Sequence, residues 1–125
     1  MFDHVSIGVT DPARSKAFYD AALKPLGISR LYDGEHGTGY GTERAQFWLN
    51  PTNSPPPQNP ASGCHICFRT GSRAAVQAFH ALALSHGGED DGAPGIRPQY
   101  SPGYYAAFVT DPDGYRIEAV TFSPE

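Results

Sequence analysis

Residues 3–27 read DHVSIGVTDPARSKAFYDAALKPLG, and this stretch decides the fold. Its opening alternates: Val5, Ile7 and Val9 fall on one side, His4, Ser6 and Gly8 on the other. That is the period of a strand with one buried face. Asp11-Pro12 then supplies an N-cap and a proline at the first helical position. ARSKAFYDAAL is expected to run as a helix towards Pro25, with Ala17, Phe18, Ala21 and Ala22 as its apolar stripe and Gly27 as its close. Three short strand-like pieces follow, around ISRLYD, GTGYGT and AQFWLN.

The next segment, residues 50–63 (NPTNSPPPQNPASG), holds five prolines and no apolar period. Proline removes a backbone donor and fixes φ, so an exposed connection outside any ladder is expected there. Then the first pattern restarts. CHICFRT (64–70) alternates, with Ile66 and Phe68 opposite His65, Cys67 and Arg69. Ser72 can cap a helix whose stripe is Val76, Phe79 and Leu82/Ala83, ending at Gly87-Gly88. A Gly/Pro-rich loop with Tyr100, the strand YYAAFVT, the turn Asp111-Pro112-Asp113-Gly114 and the strand YRIEAVTF complete the chain. The turn has the composition of type I. His4 to Phe18 and His65 to Phe79 are both fourteen residues apart, and the same offset of 61 lays Leu23 on Leu84 and Gly27 on Gly88. A period of this size suits a duplicated βαβββ unit. The expectation is one α+β domain over 1–125: module one at 1–50, the Pro-rich connection at 50–63, module two at 64–125.

Composition narrows the function. At 125 residues, 39% apolar and 12% aromatic, the chain can bury a core without staples. Nine basic against thirteen acidic residues, a formal charge of −4, leave no cationic cluster to neutralise phosphates, so neither nucleic acid nor a membrane surface is expected as a partner. No apolar run reaches membrane-spanning length, and the reading is of a cytoplasmic protein. Cys64 and Cys67 stand alone, so neither a disulfide framework nor a four-thiolate site is available.

Strand alternation sets His4, His65 and Glu118 opposite their apolar neighbours, facing any concavity on that side of the sheet. Two imidazoles and a carboxylate suit Fe(II), Mn(II) or Zn(II), with Ni(II) also open, and leave coordination positions for substrate. Cys67 shares this face and is expected as a small buried thiol. Arg69 and Arg116 share it too. They fit either an anionic substrate or outer salt bridges equally well. Trp48, Tyr40, Tyr104 and Tyr105 could line a pocket for an aromatic ligand; Trp48, Arg69, Tyr105 and Arg116 are the expected substrate contacts.

The opening stretch 3–27, His65 at the head of the second unit, and DPDGYRIEAV at 111–120, in this order, resemble the vicinal-oxygen-chelate superfamily. Its members include glyoxalase I, extradiol dioxygenases, fosfomycin-resistance enzymes and bleomycin-resistance proteins. The resemblance implies two βαβββ modules curling into a cup, with a divalent metal bound by one residue from each of four strands. His4, His65 and Glu118 match three of those positions. At the fourth, where glyoxalase I has a glutamate, the strand AQFWLN offers Gln46 or Trp48. Lyase, isomerase or extradiol-dioxygenase chemistry on a small oxygen-bearing substrate is implied, in a homodimer whose cup forms within one chain or across two. The alternative is a metal-free protein that sequesters a ligand, as bleomycin-resistance proteins do.

Overall fold

A computed structural model describes residues 1–55, 59 and 62–125. The chain runs β1 (Val5–Val9), α1 (Pro12–Leu23), β2 (Ser29–Gly34), β3 (Gly37–Gly41), β4 (Ala45–Pro51), β5 (Ile66–Arg69), α2 (Arg73–Ser85), β6 (Glu89–Ile96), β7 (Tyr105–Thr110) and β8 (Arg116–Thr121). A single 3₁₀ turn, Lys24–Leu26, finishes α1 and closes on Gly27 at φ +80°. The strands form two four-stranded mixed sheets, ordered β1-β4-β3-β2 and β5-β8-β7-β6. In each, the leading strand lies parallel to the last one of its half, and the other pairs are antiparallel. The duplication expected from the repeat is therefore present strand for strand.

Both helices begin as their caps dictate: the Asp11 side chain accepts from Arg14 N, and Ser72 Oγ from Ala75 N. They pack on each other and on one face of the sheets, so a single apolar core takes Phe18, Tyr19 and Phe47 from the first half and Phe79, Val109 and Ile117 from the second. Phe47 meets Phe68 edge-on at 5.3 Å, joining the two sheets. Polar contacts add to the seam. Asp113 accepts from Thr10 Oγ1 at 2.6 Å, Tyr115 donates its hydroxyl to Gly8 O at 2.8 Å, and Tyr19 donates to buried Asp111 at 2.5 Å. No helix among the described residues is long and apolar enough to cross a membrane.

Three expectations are corrected. The loop carrying Gly92 and Pro94 contains β6, an edge strand pairing only with β7 through two register shifts. A bulged edge strand needs no apolar alternation, so EDDGAPGI hides it. The proline-rich connection starts late, because Asn50 and Pro51 still pair with Gly8 and Val9 in β4. Residues 56–58 and 60–61 of that connection lie outside the described residues. The buried side of α1 is Ser15, Phe18, Tyr19, Ala22 and Leu23 rather than one centred on Ala17 and Ala21. Its turn towards Tyr19 is what lets the hydroxyl reach Asp111.

Candidate functional site

Alternation divides each sheet into a face under the helices and a face free of them. On β7 and β8, Tyr105, Ala107, Val109, Ile117 and Ala119 belong to the main core, whereas Ala106, Phe108 and Val120 form a separate small cluster with Tyr104. Glu118 belongs to this helix-free face, paired with Phe108 on one side and Cys67 on the other. Small Ala106 beside Val120 gives Tyr104 a floor to cross, from its place near Phe122 back to Glu118.

Glu118 is 2% exposed, and both its oxygens are engaged. His65 Nε2 lies 2.9 Å from Oε1, and the Tyr104 hydroxyl donates to Oε2. His65 Nδ1 is 3.3 Å from the Gly63 carbonyl, an acceptor for the imidazole proton in the Nδ1–H tautomer. Nε2 and Oε1 meet at hydrogen-bond distance, and in the Nδ1–H tautomer both would be electron-pair donors able to hold a cation in place of the shared proton. This is how a ligating histidine is usually oriented from behind. Burial, and then the bond to Glu118, hold the Tyr104 hydroxyl above its ordinary pKa. Cys67 is exposed, against the expectation of a buried thiol. Desolvation at the sheet surface, followed by the Glu118 charge, pushes it up to about 12, so it offers no thiolate at neutral pH.

The first sheet shows what stands at the fourth position. Ser6 pairs with Trp48 as Cys67 pairs with Glu118, so Trp48 holds the place equivalent to Glu118 and Gln46 does not. Its ring lies across β3, where a Cβ on Gly39 would come within 2.9 Å of the indole. Tyr32 packs against it at 5.6 Å and 57°, forming an exposed aromatic corner. His4, equivalent to His65, has a half-exposed side chain bonded to Asp3 at 2.7 Å. The structure thus brings His65 and Glu118 together and leaves His4 outside their contact. Among the described residues, no group of three His, Cys, Asp or Glu side chains is placed to hold a metal ion. A cleft beside His65 does reach the first module, lined by Ser6, Gly8, Ile66, Tyr115 and Arg116.

Of the expected substrate contacts, Trp48 and Arg69 lie on the helix-free faces, Arg69 with its guanidinium 4.9 Å from the Phe122 ring centroid. Arg116 takes the salt-bridge alternative, its Nε 2.8 Å from Asp91. Tyr105 is corrected: it lies in the core on the helix side, its hydroxyl accepting from Gln77. The turn explains the exchange with Tyr104. Gly114, at φ +93°, adds a residue before β8, so that Thr110 pairs with Arg116 and not with Tyr115. One residue of slip moves every β7 side chain to the opposite face. Sequence reading also missed Arg97, which sat in the unrecognised β6 region.

The family model described as "Glyoxalase/Bleomycin resistance protein/Dioxygenase superfamily" matches residues 1–119. A crystal structure of a glyoxalase/bleomycin resistance protein from Albidiferax ferrireducens is 32% identical, with 97% of this chain and 98% of that one covered and a TM-score of 0.83. The fosfomycin resistance protein FosX from Listeria monocytogenes shares the fold at 14% identity and a TM-score of 0.72, over 99% of this chain and 93% of that one. A FosX mutant from the same organism, complexed with Mn(II) and 1S,2S-dihydroxypropylphosphonic acid, is similar at 16% identity and a TM-score of 0.69, over 96% and 88%. No curated protein matches the chain. Two βαβββ halves, a shared helix core and a matching family model over nearly the whole chain establish that it belongs to the glyoxalase/bleomycin resistance protein/dioxygenase superfamily.

Proposed function

We propose that this chain is a metal-dependent enzyme acting on a small oxygen-bearing substrate, with lyase, isomerase or extradiol-dioxygenase chemistry. The observation that carries the reading is the 2.9 Å approach of His65 Nε2 to Glu118 Oε1, two atoms that can both donate electron pairs when the imidazole proton sits on Nδ1 beside the Gly63 carbonyl. His65 and Glu118 would hold a divalent ion (Fe, Mn, Zn or Ni), with His4 as third ligand. A bound ion of this kind supplies Lewis acidity towards vicinal oxygens. The residues of the chain do the rest. Glu118 is kept from solvent, Tyr104 fixes its second oxygen, and Arg69 and Trp48 border the space a substrate enters.

The reading includes a homodimer, in which a second copy would complete the cup and bring His4 to the set. Leu31 and Tyr32 on β2 and Ile96 on β6, exposed at free sheet edges, supply apolar surface for it. Two free thiols suit a reducing, cytoplasmic setting. Metal analysis and Mn(II) titration of chelator-free protein test the reading. About one ion per chain is expected, lost in His65→Ala without unfolding, together with a dimer by sedimentation. The second reading, a metal-free sequestering protein, is favoured by the separation of His4 from His65 and Glu118. It stands if wild-type protein takes up no ion.

A further inference from the structure

Arg97 follows β6 and turns its side chain back along it. Nη1 donates to Gly95 O at 2.8 Å and Nη2 to Ala93 O at 2.7 Å. The guanidinium stands 5.5 Å from the centroid of Phe108. Two glycines make room for it: a Cβ on Gly92 would come within 3.2 Å of Nη2, and one on Gly95 within 3.2 Å of Nη1. Gly92, at φ +152°, also sits at the register shifts that bend β6 under the side chain. The cation is thus placed over a ring and held by two carbonyls, which restricts its rotamers.

Among the described residues, no carboxylate pairs with it. Arg14, Arg30, Arg44 and Arg116 each pair with an aspartate, whereas among the described residues no ion pair reaches Arg69, Arg73 or Arg97. In a chain with an acidic excess, a restrained guanidinium that no side-chain carboxylate reaches is free to recognise an anion. Among the described residues, two of its five N–H donors are used and three have no acceptor. Its location fits a ligand of the second sheet, since Phe108 also packs against His65 at 6.1 Å between ring centroids. Arg69 is anchored differently, over Phe122, whose ring meets Tyr104 at 5.4 Å. Both guanidinium groups therefore rest on aromatic rings that adjoin residues bonded to Glu118.

We infer that Arg97 is the anchor for an oxyanion, a carboxylate or a phosphate-type group, carried by the small molecule that binds the helix-free face of the second sheet, with Arg69 as an auxiliary cation. This rests on the reading of that face as the substrate site, but not on a metal being bound there. Inorganic phosphate and acetate are the probes, titrated separately at constant ionic strength into metal-free protein and followed by the Arg97 Nε–Hε and Gly95 amide resonances. Saturable shifts at millimolar concentration are expected from at least one probe, and the stronger probe identifies the oxyanion class. Arg97→Met should weaken binding at least tenfold, Arg97→Lys about threefold and Arg69→Met two- to fivefold. Lys24→Met, which removes the same charge at an exposed distant position, should leave it unchanged. Arg97→Lys serves if Arg97→Met misfolds. No saturable shift with either probe, or equal affinity in wild type and the Arg97 variants, overturns the inference. Failure of Mn(II) to bind while phosphate or acetate still depends on Arg97 would instead sink the metalloenzyme reading alone.

Discussion

Tyr19→Phe isolates one hydroxyl at the seam between the halves. Asp111 is 4% exposed; its Oδ1 accepts from the Asp113 and Tyr115 amides, and its Oδ2 accepts from the Tyr19 hydroxyl. Removing that donor leaves half of a buried carboxylate without a partner. A bond to a charged group of this kind is worth about 2–3 kcal/mol. For a chain of this length that corresponds to a fall in Tm of roughly 8–12 °C. The loss should depend on pH, and its direction follows from the environment of Asp111. Burial raises its folded pKa above the ordinary 3.8, while the Tyr19 bond opposes the rise. In the wild type, the stability this group contributes is fully present below the unfolded value and is lost as pH climbs through the folded one. Tyr19→Phe raises the folded value further, so the extra loss belongs to the ionised form. Urea unfolding should give the full difference at pH 7.5 and a smaller one at pH 4, because the ionised share of the loss shrinks as the carboxyl takes up its proton. Equal losses at both pH values, or less than about 0.5 kcal/mol at pH 7.5, would refute the argument.

Other substitutions probe packing and the site. Gly39→Ala would set a Cβ 2.7 Å from Ala45 Cβ and 2.9 Å from the Trp48 ring. It should cost about 1–3 kcal/mol and shift the emission of Trp48, the chain's one tryptophan, towards the solvent-exposed maximum. Gly88→Ala brings a Cβ to 2.7 Å from Phe18 and 2.9 Å from the Ala83 carbonyl, neither of which can retreat. A loss of about 3 kcal/mol in chemical denaturation is expected, and a neutral result would show that the helix seam is loose. Phe79→Ala, fully buried in the common core, should cost about 3–5 kcal/mol, read as a lower urea midpoint with the slope unchanged.

The fold was legible where residues repeat a pattern that physics enforces. Val5, Ile7 and Val9, with Asp11-Pro12 behind them, announce a half-buried strand and a capped helix, and Ile66, Phe68 and Ser72 announce them again. The face of each strand was legible for β1, β5 and β8, because alternation needs no partner to be read. It was not legible for β7. All its residues but Thr110 are buried, so Tyr104 and Tyr105 could be told apart only by counting from the turn. Gly114 hides an added residue in that count. Arg97 was illegible for another reason: its significance lies in two carbonyls and two missing Cβ atoms, and backbone groups have no letter in the sequence. Whether Gln46 or Trp48 holds the fourth position also needed pairing, since the answer depends on which residue lies beside Ser6.

The seam between the halves also governs how the chain can acquire its structure. Tyr19 finds its partner 92 residues later in Asp111, and Thr10 finds Asp113 after 103. A ribosome making this protein therefore releases Phe18, Tyr19 and Phe47 well before β7 and β8 exist to complete their core. During that interval the first half carries an uncovered aromatic surface and cannot reach its final burial by itself. Contacts closed over such sequence distances make folding slow and late. Truncation within β8 should therefore send the first fifty residues to aggregates rather than to a stable half-protein.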